Sequence, residues 1–345
     1  MAADLELRPA EPDDLDAILS LMRASLGVGS IPRERRFWEW KHERNPFGRS
    51  PVLVACAGQE LVGMRVFMRW EWVSGGRTYR AVRAVDTATH PAWQGKGIFK
   101  RLTLTLADRM AEEGVHFIYN TPNDQSRPGY LKMGWTSVGR TDLLIRPLHP
   151  ARLVRAVAGR GTARSAIPAP LVSGDGSEPA AVALARNEVA AFADRTVAES
   201  PTGRFTTARS AAYLRWRYGD VPGFDYRLTA AVEGSEGAVI IHRDRERGPL
   251  RELRICDLLI GDTPSSRAAA RALLRRLHAR PYVDYVSAMA APGSAARSVL
   301  LRAGYLPAWR LGPILTVRPL NPAPGAPNPR LRSAWAASIG DLELF

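Results

Sequence analysis

The chain has 345 residues, of which 46% are hydrophobic, and it carries a formal net charge of +14. This length is typical of about two globular domains, and no stretch approaches the roughly 20 unbroken apolar residues of a membrane span. The positive charge is compatible with a polyanionic coenzyme, an acidic acceptor or nucleic acid. Because no basic stripe interleaved with aromatics and no zinc-finger pattern occurs, nucleic acid is the least favoured of the three.

Few residues bear on the cellular compartment and on metal binding. Cys56 and Cys256 both lie in predicted strands, where we expect small buried hydrophobes in a reducing cytoplasm. The first residues show no signal-peptide pattern, so the sequence predicts a cytoplasmic protein without a membrane partner. The 6 histidines show no ligand spacing, and we therefore expect no metal site.

The first half predicts an α/β unit in which helices and strands alternate. The expected elements are a strand at 5–8, a helix capped by Asp13 or Asp14 and running to 22, a helix at 31–42, and strands at 52–57, 62–72 and 80–89. This stretch is rich in aromatic residues, which we predict to pack the unit, with the lining of an acceptor pocket as the alternative. These residues are Phe37, Trp38, Trp40, Phe47, Trp70 and Trp72.

A glycine-bearing loop follows the strand that ends near Pro91. Gln94-Gly95-Lys96-Gly97 leads directly into an apolar-periodic helix that begins at Ile98 and ends near Gly114. Successive N–H groups in such a loop point outward, and the helix start adds a partial positive charge. The pattern therefore predicts a site for a phosphate or diphosphate, although its spacing fits neither of the common nucleotide-binding loops.

A second motif follows some thirty residues later. A short strand at 117–119 is followed by a polar turn that contains Asn120 and Asn123, and then by Tyr130, Gly134 and Trp135. Together with the loop, this motif resembles the GCN5-related N-acetyltransferases, in which the pattern Arg/Gln-x-x-Gly-x-Gly/Ala precedes Tyr-x-x-x-Gly-Phe/Trp. The resemblance covers roughly residues 4 to 148.

The resemblance implies that acetyl-CoA binds here as co-substrate. In that family the loop holds the diphosphate of acetyl-CoA, and the end of the following strand forms hydrogen bonds to the pantetheine arm. Asn120 and Asn123 are the candidates for these bonds, with turn and helix-cap hydrogen bonding as their alternative role. The residues that correspond in this chain are Thr87, Ala88, Thr89, Gln94, Gly95, Lys96, Gly97, Ile98, Phe99, Asn120 and Asn123. Phe99 departs from the family pattern, which usually has a small residue at this position.

Two residues are candidates for the catalytic chemistry. Direct transfer needs a neutral amine and a proton for the departing thiolate. Tyr130 is the candidate general acid, because the family often places a tyrosine there. Asp86, in the middle of a strand, is a candidate general base or ligand of the acceptor amine, and a structural hydrogen bond is its alternative role. His90 is more simply explained as a loop side chain.

The second half repeats features of the first at offsets of 170 to 176 residues. Trp40 is matched by Trp216, Asp86 by Asp257 and Trp135 by Tyr305, whereas Tyr130 aligns near Leu300. The glycine loop is replaced by 265–270, which lacks a glycine. We therefore predict an α/β fold of tandem acetyltransferase-like modules, each a mixed, mostly antiparallel sheet flanked by helices, with boundaries at 1–150, a linker at 151–180, a degenerate module at 181–320 and a Pro-rich tail at 321–345.

The predicted function is direct transfer of an acetyl group from acetyl-CoA to an amine, with a small molecule favoured over a protein as acceptor. The acceptor, the acyl chain length and the oligomeric state stay open. An aminoacyl-tRNA-dependent transferase and a non-catalytic acyl-CoA sensor are the alternatives. The intact loop argues against the first, and a dispensable Tyr130 would indicate the second.

Overall fold

The computed structural model describes residues 5–26, 32–159 and 176–342. The first half contains the elements that the sequence predicts, with longer strands and two further strands after the second motif. Its strands are β1 (Leu5–Pro9), β2 (Val52–Ala57), β3 (Glu60–Ser74), β4 (Arg77–Thr89), β5 (Phe117–Asn120), β6 (Thr136–Arg140) and β7 (Leu143–Pro147). Its helices are α1 (Leu15–Leu26), α2 (Arg35–Trp38), α3 (Ile98–Glu112), α4 (Arg127–Lys132) and α5 (Pro150–Val157).

The second half follows the same order of elements. Its strands are β8 (Glu178–Pro179), β9 (Thr206–Thr207), β10 (Arg227–Glu233), β11 (Glu236–Arg247), β12 (Leu250–Ile260), β13 (Tyr285–Met289), β14 (Leu306–Pro307) and β15 (Ile314–Pro319). Its helices are α6 (Ala180–Ala183), α7 (Asn187–Ala198), α8 (Ala211–Leu214), α9 (Pro264–His278), α10 (Ala295–Arg302) and α11 (Ile339–Leu342).

The strands form two sheets that correspond position by position. The first sheet has the order β1-β2-β3-β4-β5-β15-β6, with β9 added to β3, and the second has the order β8-β10-β11-β12-β13-β7-β14. Each sheet is antiparallel except for one parallel pair, β4 with β5 and β12 with β13. The predicted fold class, two mostly antiparallel α/β sheets flanked by helices, is confirmed.

The two halves exchange one strand each. Strand β15 comes from the end of the chain and lies between β5 and β6 in the first sheet. Strand β7 comes from the first half and lies between β13 and β14 in the second sheet. Because each sheet needs a strand from the other half to be continuous, neither sheet is completed by its own half of the chain. The predicted domain boundaries stay a prediction.

An aromatic core joins the two halves. Trp40 and Trp216 stack with their ring centroids 5.0 Å apart. The indole N–H of Trp40 donates to the carbonyl of Trp216 at 2.6 Å, and the indole N–H of Trp216 donates to the carbonyl of Trp40 at 2.7 Å. Each tryptophan lies in a π-helical turn, Glu39–Glu43 after α2 and Arg215–Gly219 after α8. The predicted packing role of the first-half aromatics is confirmed for Phe37, Trp40, Trp70 and Trp72.

Three further cores lie under the helices. Helix α1 packs on one face of the first sheet, and α3 and α4 pack on the opposite face. Helices α9 and α10 cover the equivalent face of the second sheet. Cys56 and Cys256 are buried free thiols, as the sequence predicts.

Two sequence predictions of secondary structure differ from the structure. The helix expected over 31–42 begins at Arg35, with Glu34 in extended conformation as its N-cap, and it changes to a π-helical turn after Trp38. The linker expected over 151–180 begins in α5, and residues 160–175 of it lie outside the described residues. In the part of the chain that the structure describes, no helix is long and apolar enough to cross a membrane.

The shared core predicts that both halves unfold together. Trp216→Ala removes a buried ring from this core and leaves the Trp40 carbonyl without its donor, so we expect a loss of about 3–5 kcal/mol in the free energy of unfolding. Denaturant titration followed by circular dichroism should show a single transition at a lower midpoint. Trp309→Ala, at a ring that is 59% exposed, is the control and should cost less than about 0.5 kcal/mol. Two separate transitions would contradict the shared core.

Candidate functional site

The loop between β4 and α3 is an open backbone turn. His90 accepts a hydrogen bond from the Ala92 amide at 3.3 Å and caps a short turn at Pro91–Trp93. The side-chain amide of Gln94 donates a hydrogen bond to the Thr89 carbonyl at 3.4 Å, which connects the loop to the end of β4. The Lys96 ammonium lies 4.2 Å from the ring centre of Trp93. These contacts hold the loop in place without covering the glycines that follow.

The two loop glycines have backbone conformations that other residues rarely adopt. Gly95 and Gly97 have φ angles of +76° and +77°, and Gly97 is the N-cap of α3. No atom lies within 4 Å of a Cβ built at either position. The first N–H groups of a helix lack intrahelical partners and attract anions. The loop therefore fits a diphosphate, because its backbone is open to close approach and its electrostatic field favours negative charge.

A gap opens between β4 and β5 beside this loop. The two strands pair in parallel only where residues 81–83 face residues 117–119. Strand β5 ends at Asn120, whereas β4 continues to Thr89, and among the described strands only β3 pairs with this last part. The Thr89 amide donates instead to the hydroxyl of Ser25 at 3.4 Å. An extended ligand arm can therefore lie along the second half of β4 in the position of a neighbouring strand.

Asp86 lies at a β-bulge in this part of β4. Arg65 pairs with Thr87 and Val66 pairs with Val85, so Asp86 is the extra residue. Its φ of +27° is the one positive value among the non-glycine residues that the structure describes. Such strained backbone is retained where the surroundings determine it and is frequent at functional sites.

The Asp86 carboxylate holds two cationic or potentially cationic partners. It accepts hydrogen bonds from Lys41 and from His42 Nε2, the latter at 2.9 Å, and His42 Nδ1 contacts the Ser50 hydroxyl at 3.1 Å. Burial would raise the pKa of Asp86, but the charge of Lys41 and the hydrogen bond from His42 outweigh it and hold this pKa well below its usual range. Burial lowers the pKa of His42, against the opposing effect of Asp86. Asp86 is therefore anionic and His42 neutral at neutral pH.

This charge state bears on the three roles that the sequence leaves open for Asp86. A carboxylate with so low a pKa accepts a proton poorly, which argues against a general base. Its hydrogen bonds to Lys41 and His42 fit the structural role, and binding of the acceptor amine stays a prediction. The carboxylate also lies in a cleft whose walls are mostly apolar, as acceptor pockets usually are. The cleft is lined by Leu19, Met22, Pro32, Arg33, Glu34, Phe37, Trp38, Lys41, His42 and Asp86.

Tyr130 lies in α4 against α3. Its hydroxyl accepts a hydrogen bond from Arg65 Nη2 at 2.8 Å. Its ring is T-shaped to those of Phe99 and Trp135, with ring centroids 5.6 and 5.3 Å apart. Tyr130 belongs to the core under α3 and α4, whereas Asp86 contacts the segment after α2. The structure therefore places the two predicted catalytic residues on opposite faces of the first sheet.

The other predicted cofactor residues have diverse surroundings. The Thr87 hydroxyl donates to the Met64 carbonyl at 3.3 Å, Ala88 is buried under α1, and Ile98, the first residue of α3, is buried against the first sheet. Asn120 is buried, and its side-chain oxygen accepts a hydrogen bond from Thr316 of the exchanged strand β15. The side-chain oxygen of Asn123 accepts a hydrogen bond from the Ser126 backbone amide at 2.9 Å and so caps the following turn. A role of these asparagines in binding the pantetheine arm stays a prediction.

Sequence reasoning missed four polar residues of the site. The sequence predicted no polar role for any of them, and they are Lys41, His42, Ser50 and Arg65. For Arg65 a signal was available, because strand alternation places it on the same face as the apolar Phe67. The partners of Asp86 carried no local signal, since they lie more than 35 residues away in the sequence.

The comparisons with known proteins agree with this geometry. Residues 6–138 match the model of a protein family described as acetyltransferase (GNAT) domain. Residues 6–138 are therefore similar to a GNAT domain. This segment extends from β1 into β6 and includes the glycine loop, Asp86 and Tyr130.

Solved structures extend the likeness of fold beyond residues 6–138. A GCN5-related N-acetyltransferase from Anabaena variabilis has 14% sequence identity and a TM-score of 0.65, over 92% of this chain and 73% of that one. One from Kribbella flavida has 16% identity and a TM-score of 0.60, over 94% and 72%. A probable N-acyltransferase from Enterococcus faecalis has 12% identity and a TM-score of 0.62, over 92% and 73%. A search of curated protein sequences finds no match.

The pairing of Asp86 with Lys41 leads to a pH-dependent prediction. The side chain of Lys41 is only 5% exposed, so Asp86→Asn removes the anionic partner of a buried cation and should cost about 3–5 kcal/mol near neutral pH. Because the pKa of Asp86 is lower in the folded than in the unfolded chain, where it is about 3.9, its contribution is complete above that value and is lost as the pH falls below it.

Urea titrations at several pH values test whether the contribution of Asp86 to stability is lost on acidification. The difference in unfolding free energy between the natural chain and Asp86→Asn should narrow as the pH falls from about 5 towards about 2. Asp16→Asn, at a carboxylate that is 84% exposed and paired with Arg35, is the control and should change stability by less than about 1 kcal/mol. A difference that widens on acidification would refute the ion pair as described.

Proposed function

We propose that this chain is an acetyl-CoA-dependent N-acetyltransferase that acts directly on an amine, with a small-molecule amine favoured over a protein. The observation that carries the proposal is the open glycine turn at Gly95 and Gly97, at the start of α3 and beside the part of β4 that β5 does not pair. A diphosphate and an extended arm need these two features next to each other, and this chain has both within residues 6–138.

In this proposal the loop at 94–99 holds the diphosphate and residues 87–89 hold the pantetheine arm. Asn120 and Asn123 are assigned to the same arm from the end of β5. The co-substrate supplies the acetyl group as a thioester, which needs no covalent enzyme intermediate. Tyr130 gives a proton to the departing sulfur, and the cleft around Asp86 binds the acceptor from the opposite face of the sheet. The mostly apolar surface of this cleft favours an acceptor with hydrophobic substituents.

The second half supports the first without a site of its own in this proposal. Thr263 caps α9 by accepting from the Ser266 amide at 3.1 Å, and the first turn contains no glycine. A Cβ at Gly261 would come within 2.7 Å of the Ser266 hydroxyl, so this turn is closed where the loop of the first half is open. We assign the second module the role of completing the first sheet through β15.

Coenzyme binding tests the loop assignment. Gly97→Val places a branched side chain where the diphosphate must approach, so acetyl-CoA affinity measured by calorimetry should fall at least about tenfold, or about 1.4 kcal/mol. Gly76→Val is the matched control, because its φ of +72° carries the same strain in the turn between β3 and β4. Equal affinities of the two variants would refute the loop assignment.

Free-thiol release from acetyl-CoA over a panel of amines tests the activity itself. The natural chain should release coenzyme A faster when a suitable amine is present, and Gly97→Val should lose this response at the same coenzyme concentration. Tight binding of acetyl-CoA without thiol release for any amine would instead support the sensor alternative.

A further inference from the structure

Arg65 is a fully buried cation beside the candidate general acid. It lies in β3, its relative exposure is 0%, and Nη2 donates to the Tyr130 hydroxyl at 2.8 Å. Its guanidinium carbon lies 4.9, 5.6 and 5.5 Å from the ring centres of Phe67, Phe99 and Tyr130. The charge is therefore enclosed by aromatic rings on the face that α3 and α4 cover.

The charge of Arg65 is not balanced by an anion. Within the described ranges, no carboxylate lies within ion-pair distance of it, and its Nε and Nη1 atoms have no hydrogen-bond partner. A buried cation without a counter-charge costs several kcal/mol. The stability of the fold does not require this cost, because an apolar residue would pack against the same three rings. Exceptions to the rule that buried charges are paired are expected at functional positions.

The second half has apolar residues at the positions of Arg65 and Tyr130. Ile240 in β11 pairs with Leu258, which lies 171 residues after Thr87, the strand partner of Arg65. Ile240 and Leu300, which aligns near Tyr130, both belong to the core under α9 and α10. Both residues are apolar and fully buried. The repeat that lacks the glycine loop therefore lacks the tyrosine and the arginine together.

We propose that Arg65 is a positioning residue that acts through Tyr130 in acetyl transfer. A guanidinium carries donors only, so the Tyr130 oxygen must accept from it and its own proton must point elsewhere. Arg65 thus directs the phenolic proton away from β3, and its positive charge stabilises the phenolate that remains when the proton leaves. This inference rests on the proposed acetyltransferase function.

The transfer step balances as follows. The neutral amine nitrogen forms a bond to the thioester carbonyl carbon, the carbon–sulfur bond breaks, and its electron pair passes to sulfur. Tyr130 gives its proton to that sulfur, which yields free coenzyme A. The resulting phenolate accepts a charge-assisted hydrogen bond from Arg65 and regains a proton from solvent, while the new amide nitrogen loses one to solvent.

A double-mutant cycle on kcat tests the coupling. Tyr130→Phe should lower kcat by about 10²–10⁴-fold. Arg65→Met should lower it at least about tenfold when Tyr130 is present and less than about twofold when Phe is at this position, because residues that act as a unit are not additive. Arg65→Lys, which keeps the charge, should recover part of the activity, and KM for acetyl-CoA should stay within about threefold. Equal losses of kcat in both tyrosine backgrounds would overturn the proposal.

Thermal stability is a second readout, and it needs neither acceptor nor coenzyme. In the Tyr130→Phe background Arg65 loses the one side-chain hydrogen bond that it makes with the described residues, so adding Arg65→Met should raise the melting temperature by a few degrees. Arg217→Met is the matched control, because that buried guanidinium donates to the Tyr226 hydroxyl at 3.1 Å and its loss should lower the melting temperature.

The two readouts separate the possible failures. A lower melting temperature on adding Arg65→Met would assign Arg65 a structural role and overturn the inference. A higher melting temperature with no thiol release from the natural chain for any amine would overturn the proposed function instead.

Discussion

The exchange of one strand between the two sheets is the constraint on which the rest of the structure depends. Strand β15 separates β6 from β5, and β7 separates β14 from β13. Each exchanged strand contributes its side chains to the sheet of the other half. The reciprocal hydrogen bonds of Trp40 and Trp216 lie where the two halves meet. Because the side-chain oxygen of Asn120 at the end of β5 accepts a hydrogen bond from Thr316 of β15, the second half holds one of the residues predicted to contact the coenzyme.

The site combines an open backbone surface with two buried charge arrangements. The glycine turn requires no side-chain chemistry, since backbone N–H groups and the helix field suffice for an anion. The cluster of Asp86, Lys41 and His42 is internally paired and faces the α1 side of the sheet. Arg65 has no carboxylate partner among the described residues, and it donates a hydrogen bond to Tyr130 on the α3 side of the sheet. A fold selected for stability alone would not keep a cation there, and the apolar core of the second half shows the alternative.

The predictable parts of this structure are those with local signals. The loop and α3 follow from glycines before an apolar-periodic helix, and the alternation of short strands and helices indicates the α/β class. The exchange of β7 and β15 was not predicted, because both segments are similar short strands that end in Arg-Pro and strand pairing is non-local. The π-helical turns after α2 and α8 likewise have no known local sequence signal. The partners of Asp86 depend on the same long-range packing, which periodicity does not reveal.

The central claim is that one chain offers one coenzyme site, formed by the glycine turn of the first half, while the closed turn at α9 offers none. Calorimetric titration of the full chain with acetyl-CoA at high protein concentration measures this number directly. The account predicts a break at about one equivalent per chain. A break at two equivalents, or no binding, would contradict it.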